Sequence, residues 1–193
     1  MAKARFIGII FTVVLAAASL SFAIGSKEKS PEEQAQDDSR KAVENYNSGV
    51  KHMEKAKEIV AKGDSASAYN YRATSDAKAR KEYEKAIGDF KNAIELKPEM
   101  KEAHNNLGYC YRKTGKLPES LTAYEKAIAL DSNFAEAREY RAETYLALGK
   151  LDLAQQELAW LKGHNPTYAE VLGKAIELYQ LEKIKETSAG NGH

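Results

Sequence analysis

The side chains best suited to catalysis or metal binding are four histidines and one cysteine, and their spacing supports neither. His52, His104, His164 and His193 lie far apart, without the short intervals that bring metal ligands together. A cysteine nucleophile needs a base within hydrogen-bond reach. The histidine nearest to Cys110 in sequence, His104, is six residues earlier, nearly two turns away if both lie on one helix. The sequence therefore predicts a non-enzymatic protein without a metal or a cofactor.

Cys110 is the single cysteine, so no disulfide can form within the chain. We expect its side chain to be buried as a small apolar group, as free cysteines commonly are. The alternative is an exposed thiol that pairs with another chain in an oxidising compartment.

A 34-residue repeat organises the chain and positions these side chains. The central copy carries His104, Leu107, Gly108, Tyr111, Gly115, Ser120, Tyr124 and Ala127. The equivalent positions of the next copy hold Arg138, Arg141, Ala142, Tyr145, Gly149, Ala154, Leu158 and Leu161. One period earlier, the second half of the copy is matched by Ala86, Phe90 and Ala93. The closing position holds Pro98, Ser132 and Pro166, and proline stops a helix.

These residues follow the pattern W-x2-L-G-x2-Y…A-x3-F…P, and the chain resembles the tetratricopeptide repeat family over about residues 40–181. The resemblance implies an all-α, right-handed superhelix of helix–turn–helix units that must stack to bury their apolar faces. Small residues at Gly108 and Ala142 would let a neighbouring helix approach closely. Gly115 and Gly149 would supply the positive φ that ends each first helix.

The charges of the chain are almost balanced, with 29 Lys and Arg against 28 Asp and Glu among 193 residues. Such a chain has no general attraction to nucleic acid or to anionic lipid. We therefore expect no nucleic-acid partner. No segment between residues 40 and 181 shows the two-residue alternation of a strand, which agrees with an all-α fold.

The first 23 residues have the organisation of a secretory signal peptide. Lys3 and Arg5 precede an uncharged run from Phe6 to Ile24, and Ser21-Phe22-Ala23 offers small residues at the positions that signal peptidase reads. We expect cleavage after Ala23 and a mature chain in a bacterial periplasm. The alternative is an uncleaved inner-membrane anchor, since about 20 apolar residues can span a bilayer. The basic residues would then keep the N-terminus cytoplasmic and place the repeats in the periplasm.

Charge and periodicity set the remaining boundaries. The polar stretch after the signal peptide indicates a solvated linker or the frayed start of a helix. A final amphipathic helix would cover the apolar face of the last repeat. The expected segments are a polar linker (24–39), a repeat domain (40–185) with repeats at about 40–100, 101–134 and 135–168 and a cap helix at 168–185, and a disordered tail (186–193).

The first repeat contains an insertion. The interval from Gly49 to Ala86 exceeds the equivalent interval from Gly108 to Ser120 by 25 residues. The natural interpretation is a first repeat with two elongated helices, which together project an arm of roughly 18 Å.

The two helices of this arm would meet at a turn over Lys62-Gly63-Asp64. Neither glycine nor proline interrupts the sequence between Asp64 and Ile87, so the second helix would return through Tyr69, Ala73 and Ala77. The alternative is a separate helix over residues 65–80 with a break near Ser75-Asp76.

In the family that the chain resembles, the first helices of successive repeats line a concave groove that holds a peptide or a partner's helix. Tyrosines at such positions offer broad contact area with a polar tip. Carboxylates outnumber the one arginine along this wall, which favours a partner with Lys or Arg; the alternative is that the glutamates only keep the helices soluble. By register, the groove positions are Tyr46, Glu102, Asn105, Asn106, Tyr109, Arg112, Glu136, Glu139, Tyr140 and Glu143.

The best-known groove of this family clamps the carboxylate tails of heat-shock chaperones with Lys and Arg. Two of the positions it requires hold Glu136 and Tyr140 here, so the resemblance does not extend to that function.

The sequence therefore predicts a scaffold of the bacterial cell envelope that holds another protein in its groove. Two alternatives stay open: a self-assembling structural oligomer, and an accessory subunit that organises a periplasmic enzyme complex. Contact with a membrane is expected only if the N-terminal segment is uncleaved.

The first prediction concerns export. Because the apolar run ends in a signal-peptidase site, the exported protein should begin at Ile24. Intact-mass measurement on the protein from the periplasmic fraction checks this start. A mass that includes residues 1–23, found with the membrane fraction, would establish the anchor instead.

Overall fold

The computed structural model of the protein describes residues 29–63 and 72–190. Regular structure in these residues is helical throughout, which confirms the all-α prediction. The predicted signal peptide lies outside the described residues. None of the helices below is long and apolar enough to cross a bilayer. Within the described ranges the helices are α1 (Pro31–Gly63), α2 (Ala77–Leu96), α3 (Lys101–Lys113), α4 (Leu117–Leu130), α5 (Ala135–Ala147), α6 (Leu151–His164) and α7 (Pro166–Gly190).

The chain divides into two compact units, Met1–Asp37 and Asp38–His193. In the first unit, α1 begins with a capping box. The Ser30 backbone N–H donates to Glu33 Oε2 at 2.9 Å, and the Glu33 N–H donates to Ser30 Oγ at 3.2 Å. Pro31 occupies the first helical position, where its missing N–H has no cost. The polar segment expected at 24–39 is therefore helical from Pro31 onward, which agrees with the alternative of a helix start and not with a solvated linker for these residues.

The second unit contains the repeats, and their starts agree with the period. α3 and α4 form one hairpin, α5 and α6 form the next, and adjacent hairpins pack through α4 and α5. The turns inside the hairpins have φ of 82° at Gly115 and 74° at Gly149, which confirms the predicted role of both glycines. Pro118 lies in the first turn of α4, where it removes no helical hydrogen bond.

An aromatic ring lies directly on a glycine in the first two repeats. A Cβ built on Gly49 would stand 2.7 Å from Phe90 Cε1, and one on Gly108 would stand 2.7 Å from Tyr124 Cε1. Both rings are fully buried. In the third repeat the equivalent residues are Ala142 and Leu158, which lie in one apolar cluster. The aromatic ring thus packs where the facing residue is glycine, and the smaller leucine packs where the facing residue is alanine.

A second recurring contact ties each first helix to the turn before it. In α3, His104 Nε2 is 2.8 Å from the Pro98 carbonyl oxygen. In α5, the Arg138 guanidinium donates to the Ser132 carbonyl oxygen, the equivalent acceptor one period later. The place of the family's tryptophan is therefore taken by side chains that hydrogen-bond the inter-repeat turn.

The arm expected in the first repeat is correct for its first helix and wrong for its second. α1 continues to Gly63, but residues 72–76 are not helical and α2 begins at Ala77. Asp76 starts the helix because its Oδ1 accepts hydrogen bonds from the N–H groups of Lys78 and Ala79. The break near Ser75-Asp76, the alternative interpretation, is therefore where α2 begins; Tyr69 lies outside the described residues.

α7 covers the end of the last hairpin, and it is longer than expected. Leu172 and Ile176 are buried with Leu146 and Leu161 in one apolar cluster. The helix continues to Gly190, so the disordered tail expected at 186–193 is wrong for residues 186–190. The hydroxyls of Thr187 and Ser188 donate to backbone carbonyls one turn earlier and satisfy part of the helix end.

The glycine–ring contact gives a stability prediction. Gly108→Ala should cost about 1–3 kcal/mol of unfolding free energy, because the new methyl group overlaps the buried Tyr124 ring. Gly88→Ala is the matched control, since Gly88 lies inside α2 with no heavy atom within 4 Å of an added Cβ. It should stabilise the protein by about 0.4–1 kcal/mol. Chemical denaturation measures both, and equal shifts in the same direction would contradict the packing.

Candidate protein-binding groove

The ten predicted groove residues divide into two groups by depth. Tyr46, Asn106, Glu136 and Tyr140 are half-buried, and Glu102 is exposed. The side chains of the other five, Asn105, Tyr109, Arg112, Glu139 and Glu143, are at most 6% exposed. The predicted wall is therefore a rim of accessible residues above a buried polar floor.

A run of tyrosine rings crosses the floor and connects four helices. The Tyr109 ring on α3 is 5.3 Å from the Tyr140 ring on α5, measured between centroids. Tyr109 also meets Tyr83 of α2 at 6.0 Å, and Tyr140 meets Tyr124 of α4 at 6.2 Å. Tilted rings at these separations add to the stabilisation that burial provides. Tyr140 is thus held in place from below while part of its ring stays accessible.

A buried ion pair lies beside these rings. An Arg112 guanidinium nitrogen is 2.5 Å from a carboxylate oxygen of Glu143, and both side chains are almost fully buried. The guanidinium carbon lies 5.3 Å from the Tyr109 ring centroid and 5.8 Å from that of Tyr140, within cation–π range. A buried pair of this kind contributes little net stability, but removal of one partner costs about 3–5 kcal/mol.

Glu139 is a second buried carboxyl in the same place. Burial, and after it the charge of the neighbouring Glu143, raise its pKa to about 9 against the opposing effect of Arg112. Tyr168 of α7 also faces this acidic group, since Glu136 and Glu139 both raise its pKa after burial has done so. At neutral pH the Glu139 side chain therefore carries a proton.

The rim above the first repeat is built around Tyr46. Its ring lies 5.8 Å from the Phe90 ring, and its hydroxyl accepts a hydrogen bond of 3.2 Å from Asn106 Nδ2. Tyr46 of α1 and Asn106 of α3 therefore form one continuous edge. Glu102 is one turn before Asn106 on α3 and points into solvent.

Register alone missed Lys113, which belongs to the floor. Its side chain is buried, and burial followed by repulsion from Arg112 lowers its pKa to about 7. Its ammonium donates to the Arg72 carbonyl oxygen at 3.4 Å, and its own carbonyl accepts from the Thr74 N–H at 2.9 Å. The sequence does place Lys113 directly after the predicted groove residue Arg112, and this adjacency could have indicated that it belongs to the floor.

A cavity of about 410 Å³ adjoins the far end of the buried floor. Leu146, one period after Arg112, lines it together with the turn glycines Gly115 and Gly149 and with Tyr179 of α7. Leu146 thus connects the groove register of α5 to a space beside α7.

The chemistry of these residues is that of recognition. Cys110 is buried, and burial raises the pKa of its thiol, so the reactive thiolate is disfavoured. Among residues 29–63 and 72–190, no three His, Cys, Asp or Glu side chains are grouped closely enough to hold a metal ion. Fixed aromatic rings beside carboxyls offer instead a surface for a partner's side chains.

Comparison with known proteins shows what the repeats are similar to. Residues 78–114 and 108–149 match the sequence profile of the family described as TPR repeat. The tetratricopeptide repeat domain-containing protein PYG7, chloroplastic, of Arabidopsis thaliana is 37% identical over 78 residues, which is 40% of this chain and 26% of that protein. The peroxisomal targeting signal receptor of Kluyveromyces lactis is 28% identical over 111 residues, 56% of this chain and 20% of the receptor.

The chain thus spans about a quarter of one of these curated relatives and a fifth of the other. Among solved structures, it is similar to TTC0263, a thermophilic TPR protein of Thermus thermophilus. That likeness has a TM-score of 0.49 and 24% identity, and it covers 67% of this chain and 71% of the other.

The neutral state of Glu139 gives a pH prediction. A carboxyl with a raised pKa in the folded state destabilises the protein as the pH rises from about 4.3, the value for an unfolded chain, to about 9. Glu139→Gln mimics the neutral form and removes this loss. Relative to the parent, the variant should therefore match at pH 4 and become progressively more stable towards pH 9.

The readout is the difference in unfolding free energy between the two proteins at each pH, measured by denaturant titration. The difference is needed because the lowered pKa of Lys113 gives the parent an opposite trend above about pH 7. Glu119→Gln, on the exposed side of α4, is the control and should show no such gain. A variant less stable than the parent at high pH would mean that Glu139 works as a carboxylate.

Proposed function

Since residues 78–149 match the TPR repeat profile, we propose that this chain is a non-enzymatic scaffold that binds another protein along the inner face of α3 and α5. Repeats of this family are interaction modules built from stacked helix pairs. The partner would occupy the predicted groove and contact the rim residues Tyr46, Glu102, Asn106, Glu136 and Tyr140.

The observation that carries the proposal is the state of Tyr140. Its ring is fixed by Tyr109 below and Tyr124 beside it, at 5.3 and 6.2 Å between centroids, yet it is only half-buried. A tyrosine already held in one position loses little side-chain entropy when a partner covers it. Such rings, with fully buried neighbours, are the residues that dominate binding energy at interfaces.

The proposed setting is the bacterial cell envelope. The support is the sequence of residues 1–23, with two basic residues, an uncharged run and a signal-peptidase site. The scaffold would act in the periplasm after cleavage, or be held there by the inner membrane if the segment is retained. The single cysteine, Cys110, is also compatible with an oxidising compartment, because its buried thiol is not available for a disulfide with another chain.

The proposal predicts how groove variants affect binding. Partners can be captured by cross-linking in an envelope extract, identified, and tested as purified proteins by titration calorimetry. Tyr140→Ala should then weaken the partner by about 1–2 kcal/mol, because it removes a pre-positioned anchor. Tyr109→Ala is unsuitable as a test, since Tyr109 is buried and its loss would disturb the core.

The matched control is Lys126→Glu on the exposed side of α4, away from the inner face. It should leave the affinity unchanged. If Lys126→Glu abolishes binding while Tyr140→Ala does not alter it, the partner uses the outer face and the proposed groove is wrong. Thermal unfolding of each variant ensures that only folded proteins are compared.

One observation favours a second candidate, self-assembly through α7. Leu181 and Ile184, one turn apart, are 54% and 60% exposed, although large apolar side chains normally gain from burial. In this case the full chain should be a dimer by light scattering, and Leu181→Ser should make it a monomer. A monomer over the whole concentration range would eliminate this candidate.

A further inference from the structure

Two of the buried oxygen atoms in the floor that lack a hydrogen-bond donor lie at equivalent positions of successive repeats. Asn105 on α3 and Glu139 on α5 occupy the same position in successive repeats, and their side chains are 1% and 2% exposed. Neither Asn105 Oδ1 nor Glu139 Oε1 accepts a hydrogen bond from any residue in the described part of the chain. A buried acceptor left in this state costs about 1–3 kcal/mol, so the site favours an incoming donor.

The charges nearby indicate what kind of donor fits. The buried floor contains the carboxyls of Glu139 and Glu143, and the Arg112 guanidinium is already within 2.5 Å of Glu143. Glu136, one turn before Glu139 on α5, adds a third carboxyl at the half-exposed edge. The three carboxyls therefore outnumber the two buried basic groups of the floor, Arg112 and Lys113, and a positively charged donor would supply the missing hydrogen bonds as well as a further counter-charge.

The walls of the site suit the apolar stem of such a donor. Tyr140 of α5 and Tyr168 of α7 are both half-buried. Tyr168 lies near Glu136 and Glu139, whose charges raise its pKa after burial has done so. Long basic side chains lay their methylene groups along apolar surface while the charged end reaches a polar partner. Exposed Glu102, at the position on α3 that Glu136 holds on α5, adds negative charge at the mouth.

We propose that a lysine or arginine side chain of the partner enters the groove beside Tyr140 and donates hydrogen bonds to Asn105 and Glu139. The inference rests on the proposed function and names the chemistry by which the groove selects its partner. Arg112 of the chain itself holds Glu143, which leaves Glu139 for the partner.

Binding of the cation is coupled to release of a proton. Burial and Glu143 raise the pKa of Glu139 to about 9, so this carboxyl is neutral before the partner arrives. The groups that face it are Glu136, Tyr140 and Glu143 on its own helix, Arg112 on α3, Tyr124 on α4 and Tyr168 on α7. A cation placed against Glu139 favours its ionised form, and the proton leaves to solvent.

The test uses n-butylammonium, which has the charged end and stem of a lysine side chain, with n-butanol as the neutral control. Spectra of the full chain with labelled Asn amides and Glu carboxyls follow the two residues during titration at pH 7. We expect saturable shifts of the Asn105 amide, and movement of the Glu139 carboxyl signal to its ionised position, with n-butylammonium only. Glu139→Gln should weaken this binding about tenfold or more, and Glu119→Gln should not.

Three results would overturn the inference: equal shifts with n-butanol, binding unaffected by Glu139→Gln, or a Glu139 signal that stays neutral throughout. The last of these would show that the cation does not reach this carboxyl. This outcome is separate from the fate of the groove itself. If Tyr140→Ala lowers the affinity for the partner but n-butylammonium does not bind at Glu139, the proposed groove is retained. The proposal that a basic side chain binds Glu139 is then wrong.

Discussion

The close approach of an aromatic ring to a residue without a side chain sets the geometry of the repeats. Phe90 on Gly49 and Tyr124 on Gly108 bring the two helices of a hairpin together at a distance that a methyl group would not permit. Where Ala142 replaces the glycine, Leu158 replaces the ring. The helix spacing is therefore fixed by the summed size of two side chains, and every side chain on the inner face takes its position from that spacing.

Once the spacing is fixed, the inner face becomes a polar core. Tyrosines and charged residues that register places on one wall are brought so close that half of them lose contact with solvent. Arg112 and Glu143 form an ion pair there, whereas Glu139 is protonated and neutral. Buried polar groups rarely add stability, since water solvates them well in the unfolded chain. Under the proposed function their value would be selectivity, because a partner would have to match their pattern of donors and charge.

The 34-residue period predicted the repeats well because the repeated positions require a particular side-chain size or a particular backbone conformation. Gly115 and Gly149 need a positive φ, and α3 and α5 begin where the register places them. The start of α1 was also readable, since Ser30 and Glu33 have the spacing of a capping box, but the surrounding charges suggested a linker. In the insertion, the absence of glycine and proline was a weaker signal than one capping aspartate, Asp76.

The repeat register could not predict which side chains of the inner face are buried. It placed Arg112, Glu139 and Glu143 on the correct helices, but their burial depends on neighbours from α2, α4 and α7 that are distant in sequence. The same limit explains Lys113. Its environment comes from the residues before α2, which hydrogen-bond to it across an interval that no periodicity describes.

The ion pair between Arg112 and Glu143 also bears on the modularity of the chain. Repeat proteins tolerate gain, loss or exchange of units when each interface is apolar and interchangeable. In this chain the guanidinium belongs to one repeat and its carboxylate to the next, so the two repeats are a matched couple. A unit inserted between them would have to supply an acid for Arg112 on one side and a base for Glu143 on the other. The solenoid can therefore grow at its ends more readily than in its middle.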